Sequence, residues 1–160
     1  PWRKGTTWCG FPRTDRRCAG GTANCIVVIS KEPIASPIIP NPMSAVVMNN
    51  PSLERFGPAL VKGGVLVINS SLINISLDRK DILQVKIPAN EIAMELGSGK
   101  AANMVALGAY VGATKAVDFG NLQKFVAKKF AKKAQFVELN KKALEEGYNR
   151  AAEVCKGGKP

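Results

Sequence analysis

Two short apolar runs bracket one helical stretch, and that arrangement limits the chain to few folds. Ala45-Val46-Val47-Met48 and Val65-Leu66-Val67-Ile68 are apolar at every position. Continuous runs of this kind are what strands buried on both faces of a sheet require. Between them stands Pro51-Ser52-Leu53-Glu54-Arg55-Phe56, with proline suited to a first helical turn and Leu53, Phe56 and Leu60 at helical spacing. Lys62-Gly63-Gly64 closes that helix. Strand, helix and strand with short connections predict a parallel α/β sheet.

The remaining pattern extends the same class. Asn24-Cys25-Ile26-Val27-Val28-Ile29-Ser30 has strand length and β-branched composition, and Leu83-Gln84-Val85-Lys86-Ile87 alternates as an amphipathic strand. Pro33, Pro37, Pro40 and Pro42 make the stretch from Ser30 to Pro42 loop or edge structure, with one extended piece at Ile38-Ile39. After Pro88 the pattern turns helical. Asn90 to Leu96 is stopped by Gly97, and Ala101 to Thr114 is rich enough in Ala and Gly to pack closely on its neighbours. Leu122, Phe125, Val126 and Phe130 mark a third helix of this half, with its lysines expected on the opposite face, and Phe136, Leu139, Ala143 and Leu144 a fourth reaching Val154. The expected architecture is a three-layer α/β/α sandwich with a mostly parallel sheet.

A chain of 160 residues with 46% hydrophobic and 22% charged residues suits one globular domain. Its apolar runs are too short to span a bilayer, and the first 17 residues hold no apolar signal core, so a soluble cytoplasmic protein is expected. The sequence has no histidine. That excludes Ser-His-Asp and Cys-His catalysis and every histidine-containing metal site. The four cysteines, at 9, 18, 25 and 155, include no C-x-x-C pair and read as free thiols.

The net charge of +11 is unevenly spread. Residues 1–19 carry +4 and residues 120–160 carry +6, through lysines such as Lys124, Lys128, Lys129, Lys141 and Lys142. A lysine run on one helix face is first of all a solvated surface. The functional alternative is a stand-alone basic α/β protein that binds nucleic acid or another polyanion, though no RNP-like, recognition-helix or zinc-finger pattern accompanies the charge.

Candidate sites are few. Gly20-Gly21-Thr22 lacks the lysine or glycine pattern of a phosphate loop, and Gly97-Ser98-Gly99-Lys100 follows a helix where a phosphate loop follows a strand. Asn49 and Asn69-Ser70-Ser71 directly follow strands, at the sheet edge where α/β proteins bind ligands and partners. They serve equally well as helix caps and turns. No paired carboxylates, Ser-Lys dyad or metal cluster stands out, so the residues predict a binding or assembly module without catalytic machinery.

Several blocks resemble the γ subunit of 2-oxoacid:ferredoxin oxidoreductases. These are Gly20-Gly21-Thr22-Ala23-Asn24-Cys25, Val27-Val28-Ile29-Ser30, Pro33-Ile34-Ala35-Ser36-Pro37, Met48-Asn49-Asn50-Pro51-Ser52-Leu53, Asn69-Ser70-Ser71, Pro88 to Ala93 and Ala102-Asn103-Met104 to Gly108. Leu139-Asn140, Ala143-Leu144 and Gly147 complete the series. The resemblance implies a non-catalytic subunit of a complex that oxidatively decarboxylates a 2-oxoacid to an acyl-CoA and reduces ferredoxin. It implies α and β subunits that bind thiamine diphosphate and magnesium, and a ferredoxin-like δ subunit, with the iron–sulfur clusters also outside this chain. Coenzyme A would be a co-substrate, with Gly20, Gly21, Thr22, Asn24, Asn49, Asn69, Asn103 and Met104 at a subunit interface or on the coenzyme A side. No cofactor in this chain, no membrane contact and no nucleic acid are expected, and the isolated chain should be inactive.

Against that resemblance the N-terminus is anomalous. The family's first strand and its G-G-x-G helix are not seen, and of a Ser-Tyr-Gly-Pro-Glu-Met-Arg-Gly-Gly block only Gly20 and Gly21 remain. Encoding Pro12 to Gly20 as CCT CGT ACG GAC CGG AGA TGC GCG GGG, and reading from the third base, spells Ser-Tyr-Gly-Pro-Glu-Met-Arg-Gly. Residues 1–19 therefore read as a frameshifted, irregular segment, residues 20–155 as the γ-type domain, and residues 156–160 as a frayed tail.

Overall fold

A computed structural model describes residues 7–14, 23–30, 34, 39–75, 77–131 and 134–157. Gly20, Gly21 and Thr22 lie outside the described residues, as does Ile38 of the expected Ile38-Ile39 piece. The chain divides into two compact units, Pro1–Pro42 and Met43–Pro160, a boundary that differs from the expected 20–155 domain.

In the first unit, β1 (Thr7–Thr14) pairs antiparallel with β2 (Ala23–Ser30) over their full lengths, from Thr7 opposite Ser30 to Thr14 opposite Ala23. The strand expected at Asn24–Ser30 is present. The irregular segment expected over residues 1–19 is not irregular at Thr7–Thr14. The β-branched run of β2 presents a full ladder, and a partner strand needs only extended backbone to join it. Pro12 is tolerated because a strand of a two-stranded ribbon has a free edge where no N–H is required. Along β2, Cys25, Val27 and Ile29 form the more exposed face.

The second unit holds a parallel sheet in the order β3-β4-β5, formed by Ser44–Val47, Val65–Asn69 and Leu83–Ile87. Val47 pairs with Ile68, and Asn69 with Ile87. The central β4 has Leu66, Val67 and Ile68 buried, as its continuous apolar run requires. The edge strand β3 departs from expectation. Val46 is 40% exposed whereas its neighbour Val47 is 1% exposed, because alternate side chains point to opposite faces and, among the described residues, only the Val47 face is well covered here. Helices flank the sheet. Leu66 and Ile68 pack with Val47, Leu53, Leu60, Ile73 and Ile82, whereas Val67, Val85 and Ile87 pack with Ile92, Val105, Ala109 and Ala143. This division follows the alternation of strand side chains.

Helix α1 (Asn50–Phe56) ends one turn earlier than the Leu53-Phe56-Leu60 spacing suggests. Gly57 N–H still donates to the Leu53 carbonyl at 2.8 Å, but Pro58 has no N–H to continue the ladder. Arg79 takes over the stranded carbonyls. Its Nη1 donates to the oxygens of Gly57, Pro58 and Leu60 at 3.2, 3.2 and 2.8 Å. Asp81 steadies the guanidinium by accepting from Nε at 2.9 Å and from Nη2. Gln84 Nε2 then donates to the carbonyls of Leu77 and Arg79 at 3.0 and 2.7 Å, tying this crossover to β5.

The hydrogen bond from Arg79 holds the Asp81 carboxyl below its ordinary 3.8. A carboxylate with a lowered folded pKa contributes stability above its unfolded pKa, and that contribution is lost as the pH falls through the folded value. Asp81→Asn should therefore lower the melting temperature at neutral pH, with the gap to the native chain closing below about pH 4. Melts at successive pH values check this, and a gap that stays constant would sink it.

The second half is helical as expected. Helix α2 (Ala89–Glu95) stops before Gly97, whose φ of +95° needs glycine. A single 3₁₀ turn leads to α3 (Ala102–Thr114), followed by α4 (Phe119–Lys129) and α5 (Ala134–Gly157). Asp118 caps α4 by accepting from Asn121 N–H at 2.8 Å. Phe125, expected on the apolar face opposite the lysines, is instead 60% exposed beside Lys129, because it is Val126, one position on, that turns into the core. Helix α5 runs to Gly157, past the residue where a frayed tail was expected, and 158–160 lie outside the described residues. Helices α3 and α5 approach at their glycines. A β-carbon on Gly112 would lie 2.6 Å from the Tyr148 carbonyl oxygen, and one on Gly108 or Gly147 would overlap the opposite backbone. The close packing expected of the Ala/Gly-rich helix is realised here.

Candidate functional site

The three parallel strands end at one edge, which gathers the polar residues that follow them. Asn49 lies beyond β3, Asn69 closes β4, and Pro88 to Asn90 follow β5. Asn69 is 1% exposed and nearly saturated with hydrogen bonds. Its Oδ1 accepts from the N–H groups of Ser71 at 3.3 Å and Ala89 at 3.1 Å, while its Nδ2 donates to Asn90 Oδ1 at 2.9 Å.

This network exists because α2 cannot cap itself. Its N-cap is Pro88, which has no side-chain acceptor, and a helix start leaves four N–H groups without partners. Asn69 supplies one acceptor. Ser71 Oγ supplies another, accepting from Asn90 N–H at 3.2 Å and Glu91 N–H at 3.4 Å. Ile92 N–H already reaches the Pro88 carbonyl at 3.1 Å. The turn after β4 thus satisfies the start of α2 and locks two neighbouring strand ends together.

Asn49 does the same for α1, accepting from Ser52 N–H at 2.9 Å through Oδ1. Beside it, Asn50 Oδ1 is buried without a hydrogen-bond partner among the described residues. The structure therefore brings Asn49 and Asn69 to one sheet edge and gives each a cap. Asn103 is exposed and Met104 half-buried, both in the first turn of α3, with Met104 against the core beneath. Asn24 is half-buried at the start of β2, in the other unit. Gly20, Gly21 and Thr22 are outside the described residues.

Sequence reading missed Ser71 as the cap of a distant helix, and Asn90 as the partner of Asn69. A helix beginning after Pro88 with no Ser, Thr, Asp or Asn at its N-cap was the available signal, since such a start must borrow its acceptors. Chemically the edge is neutral. Asn49, Asn69, Ser71 and Asn90 offer hydrogen bonds and no titratable group. Among the described residues, no group of three Cys, Asp or Glu is placed to hold a metal, and no helix is long and apolar enough to cross a membrane.

The second candidate is an open groove of about 450 Å³ between α4 and α5. Lys124, Lys141 and Lys142 line it, but so do Glu138 and Glu145, and Lys141 Nζ lies 3.6 Å from Glu138. Mixed charge of this kind is poorly matched to a phosphate backbone, which rewards cations alone.

Comparison with known proteins identifies the lineage. The sequence matches the pyruvate ferredoxin/flavodoxin oxidoreductase family over residues 2–150. It is 31% identical over 153 residues to the ketoisovalerate oxidoreductase subunit VorA of Methanothermobacter marburgensis, covering 95% of this chain and 31% of that protein. The chain thus spans about a third of the length of the curated relatives it matches. The keto/oxoacid ferredoxin oxidoreductase γ subunit from Geobacter sulfurreducens has a similar fold, with a TM-score of 0.76 and 24% identity, over 93% of this chain and 82% of that one. The same fold occurs in the 2-oxoglutarate:ferredoxin oxidoreductase from Magnetococcus marinus, solved with 2-oxoglutarate, coenzyme A and succinyl-CoA bound. There the TM-score is 0.76 at 21% identity, over 93% of this chain and 26% of that one. A sheet edge of neutral caps, a parallel core and a match running through both units converge on one conclusion: the chain belongs to the pyruvate ferredoxin/flavodoxin oxidoreductase family.

Proposed function

We propose that this chain acts as the γ component of a 2-oxoacid:ferredoxin oxidoreductase, an assembly that converts a 2-oxoacid and coenzyme A to an acyl-CoA and passes the electrons to ferredoxin. The observation that carries this reading is the state of the sheet edge. At the position where α/β proteins place their chemistry, Asn69 and the Ser71 hydroxyl are spent on capping α2. Such an edge supports neighbours and performs no turnover itself. Thiamine diphosphate, magnesium and the iron–sulfur clusters would then reside in α, β and ferredoxin-like δ partners, in the cytoplasm.

Coenzyme A would be bordered by this chain and not held by it. Its phosphates need cations or free helix N–H groups. The cluster of Asn49, Asn69, Ser71 and Asn90 has no cation, and its helix N–H groups are already taken. Asn49, Asn103 and Met104 would contribute through surface contact, together with Asn24 and Gly20-Gly21-Thr22. In the assembled complex the sheet would form the middle of a three-layer sandwich.

Co-purification from the source organism tests the reading. Thiamine diphosphate-binding subunits should accompany the chain, 2-oxoacid-dependent ferredoxin reduction should follow the assembly, and the separated chain should be inactive. Turnover by the separated chain alone would overturn it. The shifted-frame reading of residues 12–20 is decided separately by the nucleotide sequence, which should spell Ser-Tyr-Gly-Pro-Glu-Met-Arg-Gly one frame over.

A further inference from the structure

Helix α4 carries an unusual outer face. Phe125 is 60% exposed, and it is the only exposed aromatic among the residues whose side chains are described. Lys128 and Lys129 stand three and four positions on, the spacing that places them beside Phe125 on one helix face. Lys129 Nζ lies 6.0 Å from the Phe125 ring centroid, and Lys124 is exposed at the adjacent position. No acidic residue occurs from 119 to 131; Lys124 borders the groove that Glu138 and Glu145 of α5 also line, whereas Lys128 and Lys129 are not among its lining residues. Val126 is the buried residue of α4, and Phe125 beside it stays in solvent.

We propose that this face docks an acidic protein surface, with Phe125 entering an apolar recess and Lys124, Lys128 and Lys129 meeting carboxylates around it. An aromatic anchor within a charged rim is the usual anatomy of a protein–protein hot spot. Charge complementarity selects an acidic partner and would speed its approach. Nucleic acid fits less well. Single-strand binders stack successive bases on several aromatics and track the backbone with a basic groove. Here one ring is available, and the neighbouring groove presents Glu138 and Glu145. The inference rests on the reading of the chain as one component of an assembly and names one surface of it.

The test uses the assembly isolated from native cells. Zero-length carbodiimide coupling joins ammonium groups only to carboxylates in direct contact. The expected result is coupling of Lys124, Lys128 or Lys129 to Asp or Glu of one companion polypeptide, with acetylation of these lysines at least tenfold slower than in the separated chain. Phe125→Ser, and Lys128→Glu combined with Lys129→Glu, should each weaken retention of that companion at least tenfold without changing the far-ultraviolet dichroism. The coupling result stands independently if a variant fails to fold. An assembly that contains thiamine diphosphate-binding subunits but leaves these lysines uncoupled and fully reactive overturns the inference and leaves the subunit reading intact. Coupling to an acidic companion in an assembly without such subunits supports the inference and overturns that reading. A chain that elutes alone, or whose α4 lysines are protected only by duplex DNA, overturns both.

Discussion

Alanine at Gly108 or Gly147 should cost this protein most of its stability. In an isolated helix the exchange would help, since alanine is favoured over glycine by about 1 kcal/mol. Here the added methyl group meets backbone. At Gly108 it would overlap the Leu144 carbonyl oxygen and lie 2.9 Å from the carbonyl carbon and 3.0 Å from Tyr148 N. At Gly147 it would overlap the Val105 carbonyl oxygen and lie 3.0 Å from Ala109 N. A flexible side chain could move aside, but two helix backbones must separate as bodies. Overpacking of cores costs about 1–3 kcal/mol and occasionally more, and clashes with backbone belong at the upper end. Separating α3 from α5 would also loosen Val105, Ala109, Ala143 and Ala151, which are packed in one cluster. Gly120→Ala is the control. Its nearest neighbour would be Asp118 Oδ1 at 3.4 Å, so it should be neutral or slightly stabilising. Denaturant melts of the three variants decide the matter, and a Gly108→Ala chain as stable as Gly120→Ala would refute the close approach.

Removing the Asn69 side chain should have the second largest effect. Asn69→Ala strands the N–H groups of Ala89 and Ser71 and deprives Asn90 Oδ1 of its donor, in a position 1% exposed. Each buried polar group left unpaired costs about 1–3 kcal/mol. Water reaching the cavity would recover part of that, leaving an expected loss on the order of 3 kcal/mol. Asn69→Asp is the informative companion. It keeps both acceptor bonds but buries a carboxyl at a 1% exposed position with no cation in the cluster, which is costly while the group is ionised. Its loss should therefore be large at neutral pH and fall below that of Asn69→Ala at acid pH, where the protonated carboxyl can donate to Asn90 Oδ1. A loss that does not change with pH would refute this.

The two predictions mark where sequence reading succeeds and where it stops. Local pattern was sufficient for the elements. A continuous apolar run such as Val65–Ile68 has no polar face to turn to water, so it reads as a buried strand, and β4 is one. Proline at 51, glycine at 97 and the apolar spacing through Phe136, Leu139 and Leu144 placed helices for similarly local reasons. Val46 shows the limit. Its run resembled that of β4, yet whether each face of a strand is covered depends on its neighbours and not on its own residues. Thr7–Thr14 shows the same dependence, since an aperiodic stretch became a strand by pairing with β2.

The site was legible by place and, for Asn49, Asn69 and Ser71 as caps, in part by role; which helix each serves was not. Strand ends followed by asparagine pointed to Asn49 and Asn69, because the ends of parallel strands are where polar groups must gather. That Ser71 caps a helix eighteen residues downstream of it, or that Arg79 serves carbonyls of residues 57, 58 and 60, was not legible. Those bonds join segments whose separation in sequence carries no periodic signal. By itself the sequence determined an α/β class with a parallel sheet, the helices α1 to α5 and the strands β2 to β5, all of which follow from residue type and spacing along the chain. Only tertiary structure decided that Gly108 and Gly147 face opposing backbone, that Asn69 is consumed by a neighbouring helix and that Phe125 is left in solvent, because burial and hydrogen-bond partners are properties of contact between distant segments.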